Sequence, residues 1–291
     1  MIRVLVTGAG GQVGAEVARE LGAIADLVAH DRSTLDLARP DEIVARIREA
    51  RPAVIVNAAA YTAVDHAETD EDLANTVNGV APGIMAGEAK RLGALLVHFS
   101  TDYVFDGSAT RPYVEDDPVN PLSAYGRTKL AGERAVAASG CAHVTLRTSW
   151  VYGPHGKNFM LTMLRLGATH PELRVVNDQR GAPTSSTQLA RVVREIVGRG
   201  EGVREASGIY HASAAGETTW FEFAREIFAL RARSDPAFVA PRVVPITTAE
   251  YPTPARRPAY SVLSNAKLAA GLGVRIPGWR EGLAKALSGA R

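Results

Sequence analysis

The sequence predicts an α/β fold: a doubly wound parallel sheet with a smaller C-terminal substrate-binding subdomain. Three observations predict it. A β-branched run, a glycine-rich loop and an amphipathic helix follow one another at the N-terminus. Short apolar runs then alternate with helix-period segments as far as Arg147, the pattern of parallel strands with helices on both faces. Small and polar residues gather just after the strand ends, where such sheets bind ligands.

Residues 2–6 (Ile-Arg-Val-Leu-Val) read as a buried strand. Thr7-Gly8-Ala-Gly10-Gly11-Gln-Val-Gly14 follows, and a helical pattern starts inside it with Val13, Val17, Ala18 and Leu21. This is a Rossmann-type dinucleotide fingerprint. The glycines permit a tight turn and close backbone approach to a pyrophosphate, and the helix N-terminus offers free N–H groups to it. The spacing is Gly8, Gly11, Gly14 rather than G-x-G-x-x-G, since Val13 stands where that pattern needs its last glycine.

A second strand, Leu27 to His30, ends at Asp31. Residues 40–50 read as a helix through Ile43, Val44 and Ile47. Ala53 to Val56 is a third strand, followed by Asn57, Ala58, Ala59 and Ala60. Residues 70–91 carry one long helical pattern, and a fourth strand from Ala94 to Phe99 ends at Ser100 and Thr101. Residues 123–138 are helical, and His143 to Arg147 is a fifth strand ahead of Trp150. Beyond Trp150, proline and glycine interrupt shorter elements, with helices expected near 158–168, 184–198 and 218–231. Residues 1–150 are thus expected to bind NAD(P), and 151–291 to form the substrate-binding subdomain, with interleaving of segments left open.

Within the helix at 123–138, Tyr125 and Lys129 lie four residues apart and share a face. A tyrosine phenol, with an ordinary pKa of about 10, is a weak acid at neutral pH. A nearby ammonium lowers that value and lets the phenol exchange a proton with a substrate oxygen.

Composition excludes several classes. The chain of 291 residues is 46% hydrophobic and 22% charged, with a net charge of +2 and scattered basic residues, which gives no footprint for nucleic acid or a membrane surface. The single cysteine, Cys141, precludes an intrachain disulfide and reads as a buried, inert thiol. No apolar run approaches the about 18 residues of a membrane span. With a strand beginning at Ile2 and no leader ahead of it, a cytoplasmic protein is expected.

With these pieces placed, the chain resembles the extended short-chain dehydrogenase/reductases, and within them the dTDP-4-dehydrorhamnose reductase family. The resemblance spans nearly the full length. It rests on the Thr7–Gly14 loop, Val56-Asn-Ala-Ala-Ala-Tyr-Thr-Ala-Val-Asp65, Phe99-Ser-Thr-Asp-Tyr-Val-Phe-Asp-Gly107 and Tyr125-Gly-Arg-Thr-Lys-Leu-Ala-Gly-Glu133. It extends through Arg147-Thr-Ser-Trp-Val-Tyr152, Asp178-Gln-Arg-Gly-Ala-Pro-Thr184 and Arg257-Pro258. It implies NAD(P)H-dependent reduction of the C4 keto group of a dTDP-4-keto-6-deoxy sugar, with Thr101, Tyr125 and Lys129 as the catalytic triad.

By the same resemblance, Gly8, Gly11, Gln12 and Val13 lie along the pyrophosphate. Asp36 and Leu37 flank the adenine, and Ala58, Ala59 and Ala60 the adenine-side ribose and phosphates. Lys129 holds the nicotinamide ribose. Asp31 suits a ribose 2′-hydroxyl and NADH, whereas Arg32 suits a 2′-phosphate and NADPH. Dual use with a lean to NADPH is expected. Asp102 and Trp150 face the sugar nucleotide, and Arg257 is a candidate for its diphosphate. Some members form homodimers with Mg²⁺ held by glutamates. Glu16 is a candidate, but its partners cannot be placed, so no metal ligand is assigned and monomer and homodimer stay open.

Four other readings share these motifs. A sugar-nucleotide 4,6-dehydratase would carry an Asp-Glu pair after the threonine, where this chain has Asp102 and Tyr103. A 4-epimerase or another nucleotide-sugar 4-ketoreductase would use the same Tyr/Lys pair. A protein of this subfamily also serves as a regulatory subunit of methionine adenosyltransferase, binding the cofactor without turnover.

Overall fold

A computed structural model of the chain describes residues 1–289. The first half runs β1 (Arg3–Thr7), α1 (Gln12–Leu21), β2 (Asp26–His30), α2 (Pro40–Ala50), β3 (Val54–Asn57), α3 (Glu71–Asn75), α4 (Ala81–Leu92), β4 (Leu95–Thr101), α5 (Ala124–Ser139) and β5 (His143–Thr148). The second half adds β6 (Val151–Tyr152), α6 (Phe159–Gly167), β7 (Glu172–Val176), β8 (Arg180–Gly181), β9 (Thr184–Ser185) and α7 (Ser186–Gly198). It ends with β10 (Gly208–His211), β11 (Thr218–Thr219), α8 (Trp220–Ser234), β12 (Arg242–Ile246), α9 (Ala266–Leu272) and α10 (Trp279–Gly289).

Six strands form one parallel sheet in the order β10-β5-β4-β3-β1-β2. Alternation along each strand fills both faces. Val4, Val6, Val54, Val56, Leu95 and Val97 enter one core, with α1, α7 and α8 over it. Leu5, Ile55 and Leu96 enter the other, against α2, α4 and Cys141. Burial pushes the Cys141 thiol pKa up, as expected of an inert thiol. The chain starts inside the sheet at β1, steps out to β2, then returns past β1 to β3. This reversal leaves a crevice at the carboxyl ends of β1 and β3.

Under that crevice a polar chain crosses three strands. Thr7 Oγ1 donates to Asn57 Oδ1 at 2.8 Å, and Asn57 Nδ2 donates to His98 Nδ1 at 3.1 Å. Burial holds the His98 pKa well below its ordinary value, so the ring is neutral and its Nδ1 can accept.

Two elements differ from the sequence reading. The helical pattern at 70–91 is three segments, because a π-helical turn at Thr76–Val80 separates α3 from α4. Pro82 lies just beyond this turn; it lacks an N–H and crowds the carbonyl four residues back, that of Asn78. The second difference is β10, a sixth sheet strand supplied from beyond residue 150. Its four residues between loops gave no strand period long enough to read.

One ion pair joins α5 to the sheet. Arg147 on β5 meets Glu133 on α5 through two parallel hydrogen bonds of 2.9 and 2.8 Å, and both side chains are at most 3% exposed. Removing one partner of such a pair leaves a buried unpaired charge. The Glu133→Leu variant is therefore expected to lose about 3–5 kcal/mol of stability in a denaturant titration. Glu133→Leu combined with Arg147→Met should recover much of that loss, and a double variant as unstable as the single would contradict this account.

Candidate active site

A cavity of about 760 Å³ runs along the carboxyl edge of the sheet, from the glycine loop to the start of α8. Its near end is the Gly8–Gly14 turn. A Cβ on Gly14 would stand 2.0 Å from the Gly8 carbonyl oxygen, so the turn closes this tightly only with glycine there. Gly11 caps α1 with no side-chain hydrogen bond. The first N–H groups of α1 are thus available to an anion, and the tight backbone cradle fits a dinucleotide pyrophosphate. Gly8, Gly11, Gln12 and Val13 all line this end. So do Ala58, Ala59 and Ala60, whose small side chains leave backbone exposed to the cavity.

Past β2 the wall turns to Asp31, Arg32, Asp36 and Leu37. One oxygen of the Asp31 carboxylate is already engaged. Its Oδ1 accepts from the amide and hydroxyl of Ser33 and from those of Thr34, and the Ser33 hydroxyl does most to hold its pKa below the usual range. Arg32 is 82% exposed and reaches Asp36 only at 3.9 Å. The local turn thus uses one oxygen of the acid, leaves the other open and leaves the guanidinium accessible.

Thr101, Asp102, Tyr125 and Lys129 meet at the end of β4. The Ser123 hydroxyl caps α5 by accepting from the Gly126 amide, which sets the start of the helix at Ala124, one residue before Tyr125. A Cβ on Gly126 would lie 2.3 Å from the Tyr103 carbonyl oxygen, so glycine lets α5 press against the 102–104 turn. Thr101 Oγ1 donates to Asp102 Oδ1 at 3.0 Å and accepts from the Tyr103 amide at 3.2 Å.

Here the electrostatics depart from expectation. Lys129 Nζ donates to the Phe99 carbonyl oxygen at 2.6 Å, and burial pulls its pKa down to about 8. The phenol of Tyr125 is pushed up to about 12 by burial; the Thr101 hydroxyl works the other way and Asp102 adds to the rise. Lys129 is not what sets the phenol here. Tyr125 is held as the protonated phenol, the form that gives a proton.

The far end of the cavity is aromatic. Trp150 has a left-handed backbone, φ 46°, which costs a non-glycine residue of order 1–3 kcal/mol. Its indole lies over Gly181, where a Cβ would come within 2.5 Å of the ring. It stacks on Trp220 with centroids 3.6 Å apart and planes 7° from parallel. Trp220 Nε1 in turn donates to Gln179 Oε1. Sequence reasoning missed Trp220, and also Tyr61, Tyr103 and Lys157 on the cavity wall. Of these, Tyr61 and Tyr103 lie inside motifs already singled out, so proximity was their signal. Trp220 and Lys157 come from the second half, and only the folded chain brings them here.

Two candidates stand elsewhere. Arg257 does not line the cavity. Its guanidinium makes two hydrogen bonds to Asp65, at 3.2 and 2.9 Å, and also bonds Thr253 and the Ala255 carbonyl. The cation expected for a diphosphate is thus neutralised by a carboxylate. Glu16, 6% exposed, is bound by Arg19 at 2.7 Å. Among the described residues no three His, Cys, Asp or Glu side chains stand close enough to hold a metal ion.

Comparison with known proteins agrees with this geometry. The sequence profile of the family described as "RmlD substrate binding domain" matches residues 2–291. A dTDP-4-dehydrorhamnose reductase of Burkholderia thailandensis is 48% identical over 285 residues, covering 96% of each chain. A probable dTDP-4,6-dihydroxy-2-methyloxan-3-one 4-ketoreductase of Streptomyces antibioticus is 46% identical, covering 91% of this chain and 87% of that one. The crystal structure of dTDP-4-dehydrorhamnose reductase from Bacillus anthracis in complex with NADP superposes with a TM-score of 0.92 at 36% identity, covering 99% of each chain.

The Trp150–Trp220 stack generates a prediction. Trp220→Ala removes the face that holds Trp150 and should raise KM for the ligand at this end at least severalfold, with kcat changed less. Trp220→Phe, which keeps a stacking face, should recover most of the loss in steady-state kinetics. An alanine variant with unchanged KM would disprove the positioning role.

Proposed function

Because this chain belongs to the family described as the RmlD substrate binding domain, a family of NAD(P)H-dependent oxidoreductases, we propose that it reduces dTDP-4-dehydro-6-deoxy-L-mannose to dTDP-L-rhamnose with NADPH. The single observation that carries this reading is the meeting of Thr101, Tyr125 and Lys129 beside a dinucleotide cradle. Bound in that cradle, a reduced nicotinamide supplies a hydride to the carbonyl carbon. The chain's own residues supply the rest. Tyr125 protonates the oxygen as negative charge develops on it. The Thr101 hydroxyl donates a hydrogen bond to the same oxygen and orients the carbonyl. Lys129, cationic below about pH 8, contacts the nicotinamide ribose.

NADPH is favoured, with NADH also accepted, on the state of the β2 turn. Ser33 and Thr34 occupy Oδ1 of Asp31 and leave Oδ2 for the 2′-hydroxyl of NADH, whereas a 2′-phosphate meets an Arg32 that is exposed and held only loosely by Asp36. Asp102 and Trp150 face the sugar. Arg257, paired with Asp65, is assigned to fixing the 253–257 segment rather than to the diphosphate. The protein is read as cytoplasmic; among the described residues no helix is long and apolar enough to cross a membrane.

A second reading is favoured by one comparison. The Streptomyces relative carries the name of a probable 4-ketoreductase for a different dTDP-sugar, which supports another 4-keto sugar as the alternative substrate. The dehydratase reading lacks its glutamate, since Tyr103 follows Asp102. Intact triad residues favour an enzyme over a regulatory subunit.

Mixing the protein with NADPH and the 4-keto sugar, generated in the same tube by its dehydratase and epimerase, should oxidise NADPH and yield dTDP-L-rhamnose. Cofactor binding without oxidation would move the assignment to another keto sugar or to the regulatory role. Tyr125→Phe should cut the rate by about 10²–10⁴ while NADPH affinity, followed by fluorescence titration, stays near that of the parent. A variant turning over at the parent rate would remove Tyr125 from the mechanism.

A further inference from the structure

The chain between β6 and α6 forms a strap that reaches back to the glycine loop. One end is held by β6, whose Val151 and Tyr152 pair with Thr184 and Ser185 of β9. The other end is held by Asn158, which caps α6 by accepting from the Leu161 amide. Asn158 Nδ2 also donates to the carbonyl oxygens of Gly153 and His155, so the strap is folded on itself. Its far side is fastened to α1 by one side chain. Gln12 Nε2 donates to the Lys157 carbonyl oxygen at 3.2 Å, and Gln12 Oε1 accepts from Asn158 Nδ2 at 3.0 Å. Gly156 has a left-handed backbone, φ 75°, and a Cβ there would stand 3.1 Å from Gln12 Cγ. Glycine at that position lets the strap close on α1.

This fastening delivers a cation to the cavity. Among the described residues, three basic side chains line it: Arg32, Lys129 and Lys157. Arg32 stands past β2, at the end suited to a 2′-phosphate. Lys129 is buried at the end of β4 and bound to the Phe99 carbonyl oxygen. Lys157 is exposed, and its ammonium has no hydrogen bond or ion pair among the described residues. Its carbonyl is held by the first residue of α1, the helix whose N-terminus forms the cradle.

The cradle itself offers N–H groups and the partial charge of a helix end, but no full positive charge to match a pyrophosphate. We propose that Lys157 is a ligand of the cofactor pyrophosphate, brought to it by the Gln12 clasp. Backbone N–H groups from the first half of the chain and an ammonium from the second half then hold the same group. This deepens the reading of the cavity as a dinucleotide site and rests on it, but not on the choice of sugar.

The pyrophosphate is common to NADPH and NADH, and the test uses that fact. In fluorescence titrations, Lys157→Met should weaken both cofactors by the same factor, about tenfold, the low end for a hydrogen bond to a charged group. Lys157→Arg, which keeps the charge, should recover most of the loss, and the loss should shrink as salt rises. Unchanged affinity for both cofactors in Lys157→Met overturns the proposal. So does a loss confined to NADPH, which assigns the ammonium to the 2′-phosphate. So does a loss confined to dTDP-L-rhamnose, measured by calorimetry on the NADP-loaded enzyme, which assigns it to the sugar-nucleotide diphosphate. Amine acetylation of the parent, followed by mass spectrometry, gives a measurement free of variants. NADP should protect Lys157 and dTDP should not; equal labelling with and without NADP overturns the proposal. A parent that binds neither cofactor overturns the dinucleotide reading together with this one, whereas equally tight binding by parent and Lys157→Met overturns this one alone.

Discussion

The site depends on the ion pair between Glu133 and Arg147. Glu133 sits one turn beyond Lys129 on α5, and Arg147 sits near the end of β5, three residues before Trp150. The pair therefore ties the helix that carries Tyr125 and Lys129 to the strand that delivers Trp150. Both groups are buried, and their two parallel hydrogen bonds fix an orientation as well as a distance. A hydrophobic pair would join the same elements, but it would leave helix rotation less tightly specified.

Burial then does to the side chains what contacts alone would not. At the end of β4 three titratable groups lie close together, and burial moves each toward its uncharged form: Lys129 down, Asp102 and Tyr125 up. The sequence argument for Tyr125 and Lys129 used only their spacing, and so expected the ammonium to dominate the phenol. In the folded chain the ammonium is bound to the Phe99 carbonyl and desolvation dominates instead. Spacing on a helix says which residues share a face. It does not say how much water remains around them.

The same distinction separates what the sequence made legible from what it did not. β1 to β5 were legible because each is a continuous apolar run with small or polar residues at its end, and those ends converge on the crevice. The glycine loop was legible because only backbone fits between Gly14 and Gly8. β10 was not, being four residues set between loops. Trp220 was not, since its stack with Trp150 joins residues 70 positions apart without a motif. Arg257 was read for its charge, and nothing in the chain signalled that Asp65 would meet it. Local periodicity survives in a sequence, whereas pairings made by tertiary packing do not.

The origin of β10 bears on how the protein is made. It covers the six-residue β5 and becomes the edge itself with only four residues, so until residues 208–211 emerge and pair, the nascent sheet ends in the longer open strand. Open edges recruit strands from other chains. A ribosome-bound intermediate that has completed β5 is therefore aggregation-prone for the time needed to synthesise the following sixty or so residues, at about 5–20 residues per second a matter of seconds. The enzyme's yield in a cell would then respond to translation speed across that interval and to the chaperones that shield it.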